Sequence, residues 1–280
     1  MYDIPASLIA ALLLVIVLAV LELAFRIGRR TQAASTEDSK GHINAIQAST
    51  LGILALILAF TFSLSLQRFE TRSDAVVDEA NAIGTAYLRA QLLPASLRED
   101  VRRLLREYVD LRVRAGTVTT NDEDGRTPLL AKATGVQDSL WEYARRSAEI
   151  EPNPVTSGLF IQSLNELIDS FGRRDAAINR HVPEVVLFLL IGTFVLTAAI
   201  VGFGAGVVGQ RPSWVTFAMV ALIVGLVFVI LDLDRPLRGL IVISEKSLLD
   251  LQASTRAPSS HVRIPAAAAS MPAGASAPTR

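Results

Sequence analysis

Four stretches of this chain carry no charged side chain and are long enough to cross a bilayer: residues 4–21, 43–67, 185–209 and 214–231. About 20 apolar residues in a helix span the ~30 Å hydrocarbon layer, and a charge at its centre costs about 3 kcal/mol or more. Each stretch therefore reads as a transmembrane helix. The chain is 51% hydrophobic yet 19% charged, so its charges must be gathered into separate polar segments.

The spans fall in two pairs. Asp3 precedes the first, and Glu22 and Arg26 follow it. A secretory signal would need a basic start and a small-residue cleavage site, so this span is expected to be kept as an anchor. Glu22 and Arg26, four apart, suit an interfacial ion pair better than a buried proton relay. Spans three and four are separated only by Gln210-Arg211-Pro212-Ser213, which predicts a hairpin of antiparallel neighbours. Trp214 at its mouth suits either a headgroup-level indole or packing on a neighbouring helix. Gly202, Gly204, Gly206 and Gly209 crowd the end of span three, and the Gly202/Gly206 spacing predicts a face where backbones approach closely.

Between the pairs lies a polar segment with helical periodicity. Span two should run on past Arg68 as one long helix until Pro94 stops it. Leu97, Val101, Leu104, Leu105, Tyr108 and Leu111 recur at three- and four-residue spacing and predict an amphipathic helix over 96–115. Two more are expected over 127–150 and 154–180. The fold class is all-α, with four transmembrane helices in two pairs and a helical polar domain inserted between spans two and three. The expected divisions are 1–67 (spans one and two), 68–182 (polar domain), 183–232 (spans three and four), 233–252 (a post-membrane segment) and 253–280. This last stretch is an Ala-, Pro- and Ser-rich tail with too little apolar surface to order itself.

Several functions are disfavoured. Net charge is zero without a long basic run, which argues against nucleic acid as a partner. Cysteine is absent, which removes disulfides and thiolate chemistry but leaves the compartment open. Asn121-Asp122-Glu123-Asp124-Gly125 resembles a calcium loop, but an EF-hand register would put Thr120 and Ala131 where its first ligand and bidentate acid belong, so a turn is the better reading. His42, His181 and His261 lie in unrelated segments, and no phosphate loop or serine elbow occurs. No enzyme activity, cofactor or metal is expected. Asp232, Asp234, Arg235 and Pro236, where span four ends, suit solvated interfacial anchoring, with a hinge or ion-binding corner as the functional alternative. Glu79 to Arg89 contains Glu79, Asn81, Gly84, Tyr87 and Arg89 among small residues. Gly84 inside a helix costs up to about 1 kcal/mol relative to Ala, which predicts a packed junction with a close neighbour.

Leu58-Ala59-Phe60-Thr61-Phe62-Ser63, Arg68-Phe69-Glu70, Glu79-Ala80-Asn81-Ala82-Ile83-Gly84-Thr85-Ala86-Tyr87-Leu88-Arg89 and Leu231-Asp232-Leu233-Asp234-Arg235-Pro236 with Gly239 and Ser244 resemble the bestrophin-like family of bacterial and plant membrane proteins. The resemblance covers about residues 43–250. More distantly, span two is similar to the pore helix of true bestrophins, pentameric anion channels with a cytoplasmic helical domain. It implies a homo-oligomer in a lipid bilayer, a pentamer if the likeness holds, passing chloride or another small anion. It also implies that Gly52, Leu56 and Phe60 occupy the apolar neck, with Leu56 and Phe60 narrowest. Thr61 and Ser63 fall on adjacent faces and could instead bond between helices. True bestrophins carry an acidic run after span four where this chain has Arg238-Gly239, so calcium gating is not implied. Basic residues at the membrane ends divide between the two sides. The resemblance alone implies an inner-membrane protein with its domain and both termini cytoplasmic. The rival to a channel is a non-conducting scaffold or sensor whose helical domain binds a partner. Whether span two is wrapped by the other spans or left open separates the two.

Overall fold

The computed structural model describes residues 5–34, 36–118, 123–235 and 239–257. Its order is α1 (Ala6–Thr31), α2 (Glu37–Arg89), α3 (Ala95–Thr117), α4 (Glu123–Ile150), a π turn (Pro154–Gly158), α5 (Leu159–Ile178), α6 (Glu184–Val208), α7 (Trp214–Leu233) and α8 (Lys246–Arg256). Among the described residues there is no strand. Four helices, α1, α2, α6 and α7, are long and apolar enough to cross a membrane.

Helix α2 runs through the membrane and the domain without a break, as its composition predicts. Thr36 caps its start by accepting from the Ser39 amide, and Glu37 and Asp38 lie in its first turn, where a helix N-terminus favours acids. A 3-10 turn, Ala90–Leu92, follows, and Pro94 then caps α3. The other domain helices differ in detail from expectation. Helix α4 starts at Glu123, with Pro128 inside it, and the segment after Pro154 opens with the π turn before α5. Residues 253–256, assigned from composition to the tail, are the last turn of α8. They are held there because Tyr87 donates to the Thr255 carbonyl (3.1 Å) and Gln252 and Arg256 donate to Asp110. Residues 119–122, where the acidic turn begins, 236–238 and the tail from 258 lie outside the described residues.

The expectation that spans three and four pack on each other is not met. Helix α6 packs on α1 and α2, and α7 also packs on α1 and α2, while α6 and α7 make little contact. Around the bundle the order is α1, α6, α2, α7, with each sequence-adjacent pair on a diagonal. Glycine explains the choice. A Cβ on Gly202 or Gly206 would overlap the carbonyl oxygen of Leu21 or Phe25, and one on Gly28 would overlap that of Phe203. The α1–α6 crossing is thus close enough that only glycine fits, and the Gly202/Gly206 packing face is real. Gly209 closes α6 at φ +80. Trp214 is largely exposed and so does not pack on a neighbouring helix of this chain. Glu22 and Arg26 pair at 2.8 Å on the bundle surface.

Two cores result. In the membrane layer Val17, Leu21, Leu54, Phe194, Val227 and Ile230 meet, and in the domain Ile83, Leu105, Tyr108, Leu140, Phe160 and Leu248 meet. Only α2 contributes along its length to both.

Candidate functional site

At about 100° per residue, Gly52, Leu56, Phe60, Ser63, Gln67, Glu70, Asp74, Asp78, Asn81 and Thr85 fall within an arc of about 80° on α2. All ten are exposed. They form one uninterrupted outer strip: apolar through the membrane, hydroxyl and amide at its exit, and then an acid at each of three successive turns. Leu56 and Phe60 are 56% and 68% exposed, and a Cβ on Gly52 would meet only open space. Of the four spans α2 is the least buried. Phe62 packs into the membrane core, and Thr61 is buried, donating within its own helix to the Ile57 carbonyl (2.7 Å). Only Ser63 of that hydroxyl pair lies on the strip. Beside the acids, α2 and α5 bound a cleft of about 430 Å³ lined by Asp78, Asn81, Thr85, Arg89, Glu166 and Arg173. Arg173 is paired there with Glu166.

The opposite face of α2 is buried and charged. Glu79 is fully enclosed and receives Arg112 of α3 (2.5 and 3.2 Å) and Arg174 of α5 (2.6 Å). Burial alone would raise the Glu79 pKa, but the two guanidiniums prevail and hold it below the ordinary carboxylate value. Arg174 also donates to Glu245 (2.6 Å), just before α8. Burial pushes the Glu245 carboxyl up, against the attraction of Arg174. The carboxylate fits because Gly116 has no side chain to displace it. Arg112 further stacks over Phe171 at 4.5 Å, and Gln137 donates to Tyr108 (3.0 Å).

Two turns nearer the membrane Arg72, 1% exposed, donates to the carbonyls of Ala177 (3.1 Å), Leu233 (3.2 Å) and Arg180 (2.5 Å), and lies 3.6 Å from Asp234. A guanidinium on the last carbonyls of α5 and α7 satisfies groups that helix ends leave open. Asp234 accepts the Val182 amide with both oxygens (3.1 Å each), and Asp232 accepts the amides of Leu240 and Ile241. Arg235 is buried. These acids are engaged by backbone and not solvated, which replaces the anchoring expectation. Pro236 lies outside the described residues.

Of the segment around Gly84, Glu79 joins the buried network and Asn81 stays on the strip. Gly84 faces Leu251 of α8, whose Cδ1 would be 3.4 Å from a Cβ. The Tyr87 hydroxyl accepts from Arg102 (2.9 Å) and Arg106 (3.3 Å), and Arg89 donates to the Leu159 carbonyl (2.9 Å). The segment therefore touches α3, α5 and α8. Sequence reasoning passed over Arg72, Arg112, Arg174 and Glu245. A signal existed for two of them: Arg112 follows Leu105 and Tyr108 on the apolar stripe of α3, and Arg174 follows Leu167 and Phe171 on that of α5. A charge at a core position needs a buried partner.

Four membrane helices joined to a helical domain by one continuous helix, open along its outer side, define a class of polytopic membrane protein. The model of the Bestrophin-like domain matches residues 11–248, and the chain belongs to the bestrophin-like family. Among solved structures it is similar to a bacterial bestrophin homologue from Klebsiella pneumoniae bearing a point substitution, at 17% identity and TM-score 0.62, with 86% of this chain and 98% of that one covered. The same organism's homologue solved by zinc phasing superposes at 17% identity and TM-score 0.55, covering 85% and 97%. A structure described only as a membrane protein with a point substitution gives 17% and 0.56, covering 86% and 98%. At this identity the likeness is one of fold. No curated protein matches the chain.

Proposed function

We propose that the chain is one subunit of an oligomeric ion channel in which α2 lines the pore, with Gly52, Leu56 and Phe60 as its apolar neck. The observation that supports this is the outer strip of α2. A purely anchoring span has no need to leave an 80 Å helix uncovered along one side, whereas copies arranged around an axis would enclose it. Family membership favours a ring of several copies, five if it follows true bestrophins, in the inner membrane with the domain and both termini in the cytoplasm.

The ion's sign is a separate matter. The distant resemblance implies chloride or another small anion. The strip itself favours cations, because Glu70, Asp74 and Asp78 stand one above another with no basic residue between Ser49 and Thr85 on that arc, and acidic rings select cations. Purified oligomers in planar bilayers under a KCl gradient decide it. A reversal potential near the potassium equilibrium value supports the acidic ladder, and one near the chloride value supports the family's anion reading. Phe60→Ala should enlarge the current in either case by widening a constriction that gates by dewetting. Phe62→Ala, in the membrane core, should mainly lower stability. If well-folded oligomers of wild type and Phe60→Ala both pass no ions, the channel reading fails and a scaffold or sensor role replaces it.

A further inference from the structure

The chain passes between membrane layer and helical domain three times: along α2, through the connector 179–183 between α5 and α6, and after the end of α7. All three passages meet at one point. Arg72 comes from α2. From the connector come the Arg180 carbonyl, the Val182 amide and the His181 ring, and from the end of α7 the Leu233 carbonyl and Asp234. His181 Nδ1 lies 3.1 Å from the Asp234 carbonyl oxygen and 3.7 Å from its carboxylate. A carbonyl only accepts, so Nδ1 carries the hydrogen in the neutral ring. Its side chain is 32% exposed, while those of Arg72 and Asp234 are 1% exposed. Solvent protons therefore reach the histidine and not the pair behind it.

We propose that His181 is a proton-sensing residue that sets how tightly the helical domain is clamped to the membrane bundle. Histidine is the side chain whose charge ordinarily changes between about pH 5 and 8. A protonated ring places a cation against Asp234, the carboxylate that already holds the Val182 amide and faces Arg72. The other charged groups on the elements that meet here are Arg68 of α2, Arg180 on the connector, Glu184 at the start of α6, and Asp232 and Arg235 at the end of α7. His181 is the one imidazole among these described side chains. Acid tightens the clamp and base loosens it. Because Arg72 belongs to α2, the same step alters the seating of the strip-bearing helix.

The test uses the whole protein in nanodiscs and follows amide hydrogen exchange from pH 8 to 6, corrected for intrinsic rates, in peptides covering 179–184. The Val182 amide is the reporter. Its protection should rise severalfold on acidification, more than that of the α3 and α4 amides. His181→Asn keeps a neutral donor near the Nδ1 position. It should match wild type at pH 8 and lack the rise at pH 6, and His181→Gln carries the same test should that variant fold poorly. A pH response unchanged in these variants, or one spread evenly over the chain, overturns the proposal. The readout is independent of conduction, so a silent bilayer recording with an intact pH step would remove the channel reading and leave this one standing.

Discussion

Glu79 is surrounded by protein on every side and survives there as an anion only because Arg112 and Arg174 both face it. Breaking such a group by removing one charge leaves the others buried without compensation, which costs about 3–5 kcal/mol. Glu79→Gln should therefore unfold the domain at markedly lower temperature or denaturant. Its pH dependence has a definite sign. The folded pKa lies below 4.5, so the stabilisation is present above that value and disappears as pH falls through the lowered one. Glu245 has the opposite sign. Its raised folded pKa makes its contribution fullest below 4.5 and lost as pH rises through the raised value. At neutral pH Glu245→Gln should consequently cost much less than Glu79→Gln in thermal melts, and equal losses would show that the two carboxylates are not distinguished as described. Neither partner arginine was legible as a ligand of Glu79, because sequence periodicity shows that a side chain points inward and not which residue it meets.

At the scale of elements, helix existence was readable from composition almost everywhere, because charge-free runs and three-four periodicity are local properties. Neighbours were not. Short loops suggest adjacency, yet the α1–α6 crossing is set by Gly28, Gly202 and Gly206, and it displaces the hairpin partners to a diagonal. Gly84 is a similar case on α2. An added methyl would stand at ordinary contact distance from Leu251, whereas a longer side chain would have to push α8 away. Gly84→Ala should be tolerated, while Gly84→Leu should lower thermal stability and raise protease sensitivity near residue 256. A Gly84→Leu protein as stable as wild type would mean that α8 is not held against this part of α2.

For the whole molecule, the alternation of membrane and water was legible and the side was not, since basic residues divide between the two faces. The chain lacks cysteine, so single cysteines can report topology directly. Thr36→Cys and Ser213→Cys should react with an impermeant thiol reagent from one side of the membrane. Thr117→Cys and Ala257→Cys should react only from the other, the cytoplasm in our reading. Labelling of Thr36 and Thr117 from the same side would refute the four-span path. The outer strip was legible only in its apolar third, the neck at Gly52, Leu56 and Phe60. Its continuation through Glu70, Asp74 and Asp78 needed the knowledge that this side of α2 stays uncovered by the domain helices.

The continuity of α2 also has a mechanical meaning. Its 53 residues make a shaft about 80 Å long, with no proline and no break in its ladder of hydrogen bonds. Arg72 fastens it to α5 and α7 about two-thirds of the way along. The shaft is also packed at both ends, on α6 and α7 in the membrane layer and on α5 and α8 in the domain, so a displacement of either end is passed along it to the helices that hold the other. In the ring of copies proposed above, Phe60 and Asp78 would then ride on one rod, and the membrane and domain ends of the passage would move together.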